Sequence, residues 1–146
     1  MIKNISNLGD AAVYCDFGKK VNKEINTNVI KYFYSIRNQK IKGINNLTPS
    51  YNKLIISFDL KLTNFNEIKK KIENLNINEV FIQNNKELKI PVCCDEIFGL
   101  DIGILEKKLS LKKDKILENF FNKEYFCYMT GFIAGMPFLG DLNKHI

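Results

Sequence analysis

The chain is 146 residues long, 45% hydrophobic and 26% charged, with a formal net charge of +6. That apolar share supports a real core in one ordinary domain or two small ones, and it excludes a disordered polyelectrolyte. Nearly all of the positive charge is lysine, with Arg37 the only arginine; the guanidinium forks that read phosphates and guanines are scarce, and no nucleic-acid partner is expected.

Residues 11–17 alternate, with Val13, Cys15 and Phe17 on one face and Tyr14 and Asp16 on the other, which is the period of a half-buried strand. Val21, Ile25, Val29, Tyr32, Phe33 and Ile36 then recur at three- and four-residue steps, so a helix is predicted over about residues 22–39 with Asn22 as its N-cap. Gly43 and Asn45-Asn46 punctuate its exit. Two strands follow near residues 44–50 and 53–59, joined at Tyr51-Asn52, with Leu54, Ile56 and Phe58 sharing a face. Asn64, three residues before Glu67, opens a second helix like a capping box; Ile68, Ile72 and Leu75 face inward and Lys69-Lys70-Lys71 face water.

Residues 80–82 and 87–92 are short strand candidates on either side of the polar stretch 83–86, which marks a domain boundary. The expected organisation is an α+β domain over residues 1–84, in the split βαβ order of ferredoxin-like folds, and a second domain over 85–146. In that second part Asp101 is expected to cap a short helix bearing Ile102, Leu105 and Leu109. Ser110 is expected to begin another bearing Ile116, Leu117, Phe120 and Phe121. This pair imitates a helix-turn-helix, but Asp114 and Glu118 interrupt the lysines of the would-be reading face, and the two phenylalanines need burial.

The stretch from Tyr125 to Gly140 holds three glycines, a proline and five phenylalanine or tyrosine residues, with little charge. It reads as a strand entering a glycine-punctuated, site-forming turn, with Gly131, Phe132, Gly135, Phe138 and Gly140 as candidate substrate-binding residues. Glycines let backbone N–H groups approach a carboxylate or phosphate oxygen, Pro137 fixes the turn, and Phe132 and Phe138 would wall a pocket. A tight corner without ligand is the competing reading. Catalytic residues are not assigned: Asp10, Asp95, Glu96, Asp101, Glu124 and Asp141 read mostly as surface charges or helix caps. Cys93, Cys94 or Cys127 would have to pair with His145, the lone histidine near the chain end, to act as a nucleophile. The cysteines Cys15, Cys93, Cys94 and Cys127 show no C-x-x-C spacing, so reduced thiols and no metal site are expected. No apolar run reaches the length of a membrane helix and the start is too polar for a signal-peptide core, which predicts a cytoplasmic protein with no membrane partner.

Tyr125, Tyr128, Gly131-Phe132, Gly135 and Phe138-Leu139-Gly140 resemble the Y-x-x-Y-x-x-G-F-x-P-G-F-x-Y-L-G signature of the allophanate hydrolase subunit 1 family. Gly9-Asp10-Ala11-Ala12 with Phe17-Gly18, and Ile90-Pro91-Val92-Cys93 with Phe98-Gly99 and Asp101, resemble two further family motifs in the same order. The resemblance implies an N-terminal α+β domain followed by a cyclophilin-like β-barrel. It also implies a role as the B-type subunit of an ATP-dependent 5-oxoprolinase or allophanate-hydrolase-like amide hydrolase. Expected partners are a homologous C-type subunit and a LamB/YcsF-type A subunit, with self-association also possible. A KipI-like inhibitor of a sensor histidine kinase is the alternative. No P-loop or kinase signature is present, so ATP is expected to be used by the complex and no cofactor to be bound by this chain itself. The chain departs from the family pattern at Ile97, Phe120 and Ala134, where a glutamate, a histidine and a proline are usual. It also reads as ending within the second domain, which predicts that residues 1–84 are ordered alone and that residues 125–146 need a further strand from elsewhere.

Overall fold

The computed structural model describes residues 1–77 and 86–146. They form six strands and four helices, in the order β1 (Asn4–Asn7), β2 (Ala12–Asp16), α1 (Lys23–Gln39), β3 (Ile44–Pro49), β4 (Lys53–Phe58), α2 (Phe65–Glu73), α3 (Ile102–Leu109), α4 (Lys113–Phe121), β5 (Phe126–Thr130) and β6 (Pro137–Gly140). The chain divides into two units: Met1–Gln83 with Tyr128–Phe138, and Asn84–Cys127 with Leu139–Ile146.

The first unit is built on an antiparallel sheet of order β1-β2-β4-β3. The strands expected near residues 11–17, 44–50 and 53–59 and the helices capped by Asn22 and Asn64 are present, which makes this an α+β unit. Val13, Cys15 and Phe17 of the β2 region and Leu54, Ile56 and Phe58 of β4 are buried together with Val29 and Ile36 of α1 and Ile68 and Ile72 of α2. Two strand faces of period two thus meet two helical stripes of period 3.6 in one core. Val21, counted in the helical stripe, instead lies exposed ahead of α1.

The predicted caps are formed. Asn22 Oδ1 accepts a hydrogen bond from the Ile25 N–H at 2.8 Å, and Asn64 Oδ1 accepts one from the Glu67 N–H at 3.1 Å. Glu67 reaches back to side chains, accepting from Asn64 Nδ2 and from the Thr63 hydroxyl. Strand β1 carries no signal in the sequence, because Ile5 is the single apolar residue in Asn4–Asn7 and no alternation shows; its ladder with β2 supplies what its side chains do not.

In the second unit several expectations are corrected. Residues 87–92, predicted as a strand, are irregular and largely exposed, since among the described residues no ladder partner lies beside them. Asp101 stands at the N-cap of α3 but makes no side-chain cap bond. Ser110 does not open a helix: at φ 53° it is the left-handed C-cap of α3. Helix α4 begins at Lys113, whose N–H donates to the Glu106 carboxylate at 2.7 Å, so a residue of the preceding helix does the work of a cap. Phe121 is exposed, whereas Phe120 packs on Tyr125, whose hydroxyl donates to the Phe120 carbonyl at 2.8 Å. The candidate strand at 80–82 lies outside the described residues. The described helices include none long and apolar enough to cross a membrane.

Candidate functional site

The stretch predicted as strand and turn is a hairpin. Strands β5 and β6 pair in a two-stranded sheet, and the connection over residues 131–136 is too short for a parallel crossover, so the ladder is antiparallel. Strand β5 thus has β6 as a partner from its own chain along one edge.

The connection is built from two tight turns. The Ile133 N–H donates to the Gly131 carbonyl at 2.8 Å across Phe132, whose φ is 65°. An i to i+2 bond around a residue of positive φ is a γ-turn of the rarer, strained hand. The Met136 N–H then donates to the Ile133 carbonyl at 3.3 Å, closing a β-turn in which Gly135 has φ 80° at the third position. That is the type II requirement which glycine meets without steric cost. Finally the Gly131 N–H donates to the Met136 carbonyl at 3.1 Å, locking the base of the loop.

This geometry places the five candidate residues in one hairpin but gives them different surroundings. Phe132 is 90% exposed, held outward on the strained turn. Gly135 has open space where a Cβ would stand, so its constraint is the backbone angle and not crowding. Gly131 is half-buried against Met129, whose methyl lies 3.3 Å from where a Cβ would stand. Phe138 is half-buried and meets Tyr51 edge-to-face at 6.3 Å, and Gly140 closes β6. Of the N–H groups invoked for an anion nest, those of Gly131, Ile133 and Met136 are engaged by the loop's own carbonyls. The loop is thus pre-formed by its backbone and offers mainly an aromatic side chain.

The anchor of the hairpin is a residue that sequence reasoning passes over. Asn26 of α1 is buried, and its Nδ2 donates to the carbonyls of Ser50, Tyr51 and Tyr128 at 3.2, 3.0 and 3.1 Å. One side-chain amide thereby ties the β3–β4 turn and β5 to α1. Tyr128, 2% exposed, stacks obliquely on Tyr51 with ring centroids 5.5 Å apart. Asn26 falls on the apolar face of α1, and a polar residue on such a face is the signal the sequence does carry.

The acidic candidates Asp10, Asp95, Glu96, Asp101, Glu124 and Asp141 are all exposed. Asp141, at φ 62°, accepts from Lys123 through its carbonyl oxygen. Cys15 is buried among apolar groups, and desolvation pushes its thiol up to about 12, so it is no nucleophile at neutral pH. Cys93 and Cys127 are exposed. Among the described residues no cluster of three His, Cys, Asp or Glu side chains gathers into a metal-binding group.

The family described as carboxyltransferase domain, subdomain C and D, matches residues 3–146. The B subunit of 5-oxoprolinase from Bacillus subtilis (strain 168) is 29% identical over 154 residues, covering 97% of this chain and 64% of that protein. The chain thus spans less than two thirds of the length of this curated relative. Both matches agree with the family resemblance carried by the sequence motifs. Two crystal forms of TTHA0988 share the fold: one at TM-score 0.77 and 20% identity over 93% of this chain and 27% of its own, the other at 0.74 and 21% over 92% and 25%.

Proposed function

This chain belongs to the carboxyltransferase domain family, subdomain C and D, and from that membership we propose that it works as the B-type subunit of an ATP-dependent amide hydrolase of the 5-oxoprolinase or allophanate hydrolase type. The observation that carries the reading is the likeness to the B subunit of 5-oxoprolinase along nearly the whole chain. On this reading a homologous C-type subunit and a LamB/YcsF-type A subunit complete the enzyme. ATP is used by the assembly without a nucleotide site on this chain, and the complex works in the cytoplasm. Residues 1–84 serve as a ferredoxin-like domain, a role supported by the β2-α1-β3-β4-α2 order, and residues 85–146 open a cyclophilin-like one. Gly131, Phe132, Gly135, Phe138 and Gly140 form the substrate-binding loop, with Phe132 as an aromatic wall and Gly135 holding the turn.

The backbone strain at Phe132 supports a functional use. A bulky residue at positive φ costs roughly 1 kcal/mol or more relative to glycine, and such outliers concentrate where a side chain has to be presented. Two measurements test the reading. This chain mixed with the C- and A-type subunits is expected to release glutamate from 5-oxoproline only when ATP is supplied, and none when alone; release by residues 1–146 alone overturns it. Inhibition of a histidine kinase without any hydrolysis in the mixture would replace it with the inhibitor role. Within the active mixture, Phe132→Gly is expected to lower turnover while leaving the chain as stable or more stable, by up to about 1 kcal/mol. Loss of stability in step with loss of activity would make the loop a structural corner.

A further inference from the structure

A second place in the first unit has the form of a binding groove, far in sequence from the hairpin. Strand β3 is the outer strand of the sheet order β1-β2-β4-β3, and among the described residues nothing pairs with its other side. Beside it runs the last part of α1. Between them lies a cleft of about 350 Å³ with Phe33, Ile36, Ile41 and Leu47 as apolar walls and Arg37 and Lys40 as its charges. Among the described residues no acidic side chain lines it.

The two cations are held differently. The Arg37 guanidinium lies 5.9 Å from the Phe33 ring centroid, in cation–π range, so the one arginine of the chain is kept over the cleft wall. Lys40 is fixed at the left-handed C-cap of α1, with φ 46°. The pairing of β3 with β4 slips between Ile44 and Asn46, leaving Asn45 as an extra residue at the sheet edge, also part of the cleft.

We propose that this cleft between α1 and β3 takes an extended acidic peptide segment, which adds a strand to β3 and sets its carboxylates against Arg37 and Lys40. Main-chain bonds to an edge strand supply affinity regardless of sequence, and every second side chain of the added strand looks onto α1, so that face has to carry both an apolar residue for the groove and a carboxylate for the cations that select the partner. Two cations near a helix C-terminus would also arise simply to oppose the helix dipole. Those cations alone would not favour a peptide over a free carboxylate, and the experiment separates the two.

The full chain is titrated with an end-blocked peptide of Glu-Thr-Val-Thr repeats, which carries glutamate and valine on one face of the strand, its Lys-Thr-Val-Thr counterpart, and free glutamate, with backbone amide shifts as the readout. The acidic peptide is expected to bind with shifts centred on residues 44–48 and 33–41, while the basic peptide and free glutamate leave them unmoved. The double variant R37E/K40E is expected to weaken the acidic peptide about tenfold or more. Both residues are exposed, so the fold should survive, and the milder R37Q/K40Q is expected to fall between that variant and the parent. Equal binding of both peptides, binding of free glutamate at the same amides, no binding of the acidic peptide, or an affinity indifferent to either variant overturns the proposal.

Discussion

The two units differ in how they satisfy their apolar residues. Among the described residues the first buries ten in one cluster, from Val13 to Ile72, contributed by the β2 region, β4, α1 and α2. In the second, Ile116 is buried, α3 buries nothing, and Ile97, Phe98, Ile104 and Phe121 are exposed, as is Leu100 at 83%. Its described elements are held together by hydrogen bonds such as Lys113 N–H to Glu106, Tyr125 hydroxyl to the Phe120 carbonyl, and Asn143 Nδ2 to the Asn119 carbonyl at 3.0 Å. Hydrophobic burial is the main favourable term in folding, and single net hydrogen bonds contribute only about 1 kcal/mol each. Stability measured on this chain should therefore report the first unit.

The largest expected effect tests that contrast directly. Leu54→Ala removes a side chain with 0% exposure from the centre of the first core and is expected to cost about 2–5 kcal/mol. Leu100→Ala in the second unit should stay within about 0.5 kcal/mol. Chemical denaturation of the two variants checks it, and comparable losses would show the units to be energetically alike.

An intermediate effect is expected at Asn26. Replacing it with leucine keeps the volume but leaves three carbonyls without their shared donor, at a cost of about 2–3 kcal/mol. Amide exchange should accelerate in β5 more than in β4. Uniform acceleration across the sheet would mean that Asn26 supports the core in general and has no special hold on the hairpin.

The smallest effect is electrostatic. The hydrogen bond from the Lys53 ammonium, and then that from the Gly18 N–H at 2.6 Å, hold the Asp16 carboxyl below the usual carboxylate range. A depressed folded value means the unfolded chain takes up the proton first on acidification. The stabilisation is thus fully present above the ordinary carboxylate value and is lost as pH falls through the folded one. Wild type is expected to exceed Asp16→Asn by no more than about 1 kcal/mol at neutral pH, because the pair is partly exposed, and the difference should vanish in acid. A difference independent of pH would point to packing and not to charge.

The regular elements of the first unit are legible because their periods are unambiguous. Val13-x-Cys15-x-Phe17 and Leu54-x-Ile56-x-Phe58 fit only a strand with one buried face, and Asn22 and Asn64 stand where a helix needs an acceptor for its first free N–H groups. The site-bearing stretch is legible as a turn because Gly131, Gly135 and Pro137 narrow the backbone choices. What is not legible is contextual. Strand β1 has no pattern of its own and exists through its partner β2, while residues 87–92 have a strand-like pattern and no described partner. Serine favours a helix start, yet at Ser110 the local preference misleads, because Glu106 supplies the acceptor and leaves Ser110 to end the helix before.

By itself, then, the sequence determined which residues of the first unit face inward, where its helices begin, and to which family the chain belongs, because periodicity, capping and motif order are local or linear properties. Only the tertiary structure decided that Phe132 stands outward on a strained turn, that Asn26 gathers three carbonyls from two distant points of the chain, and that β3 lies at a sheet edge beside Arg37. Each of these depends on groups distant in sequence meeting in space or on a backbone angle that phenylalanine does not choose alone, and neither leaves a periodic trace in the chain.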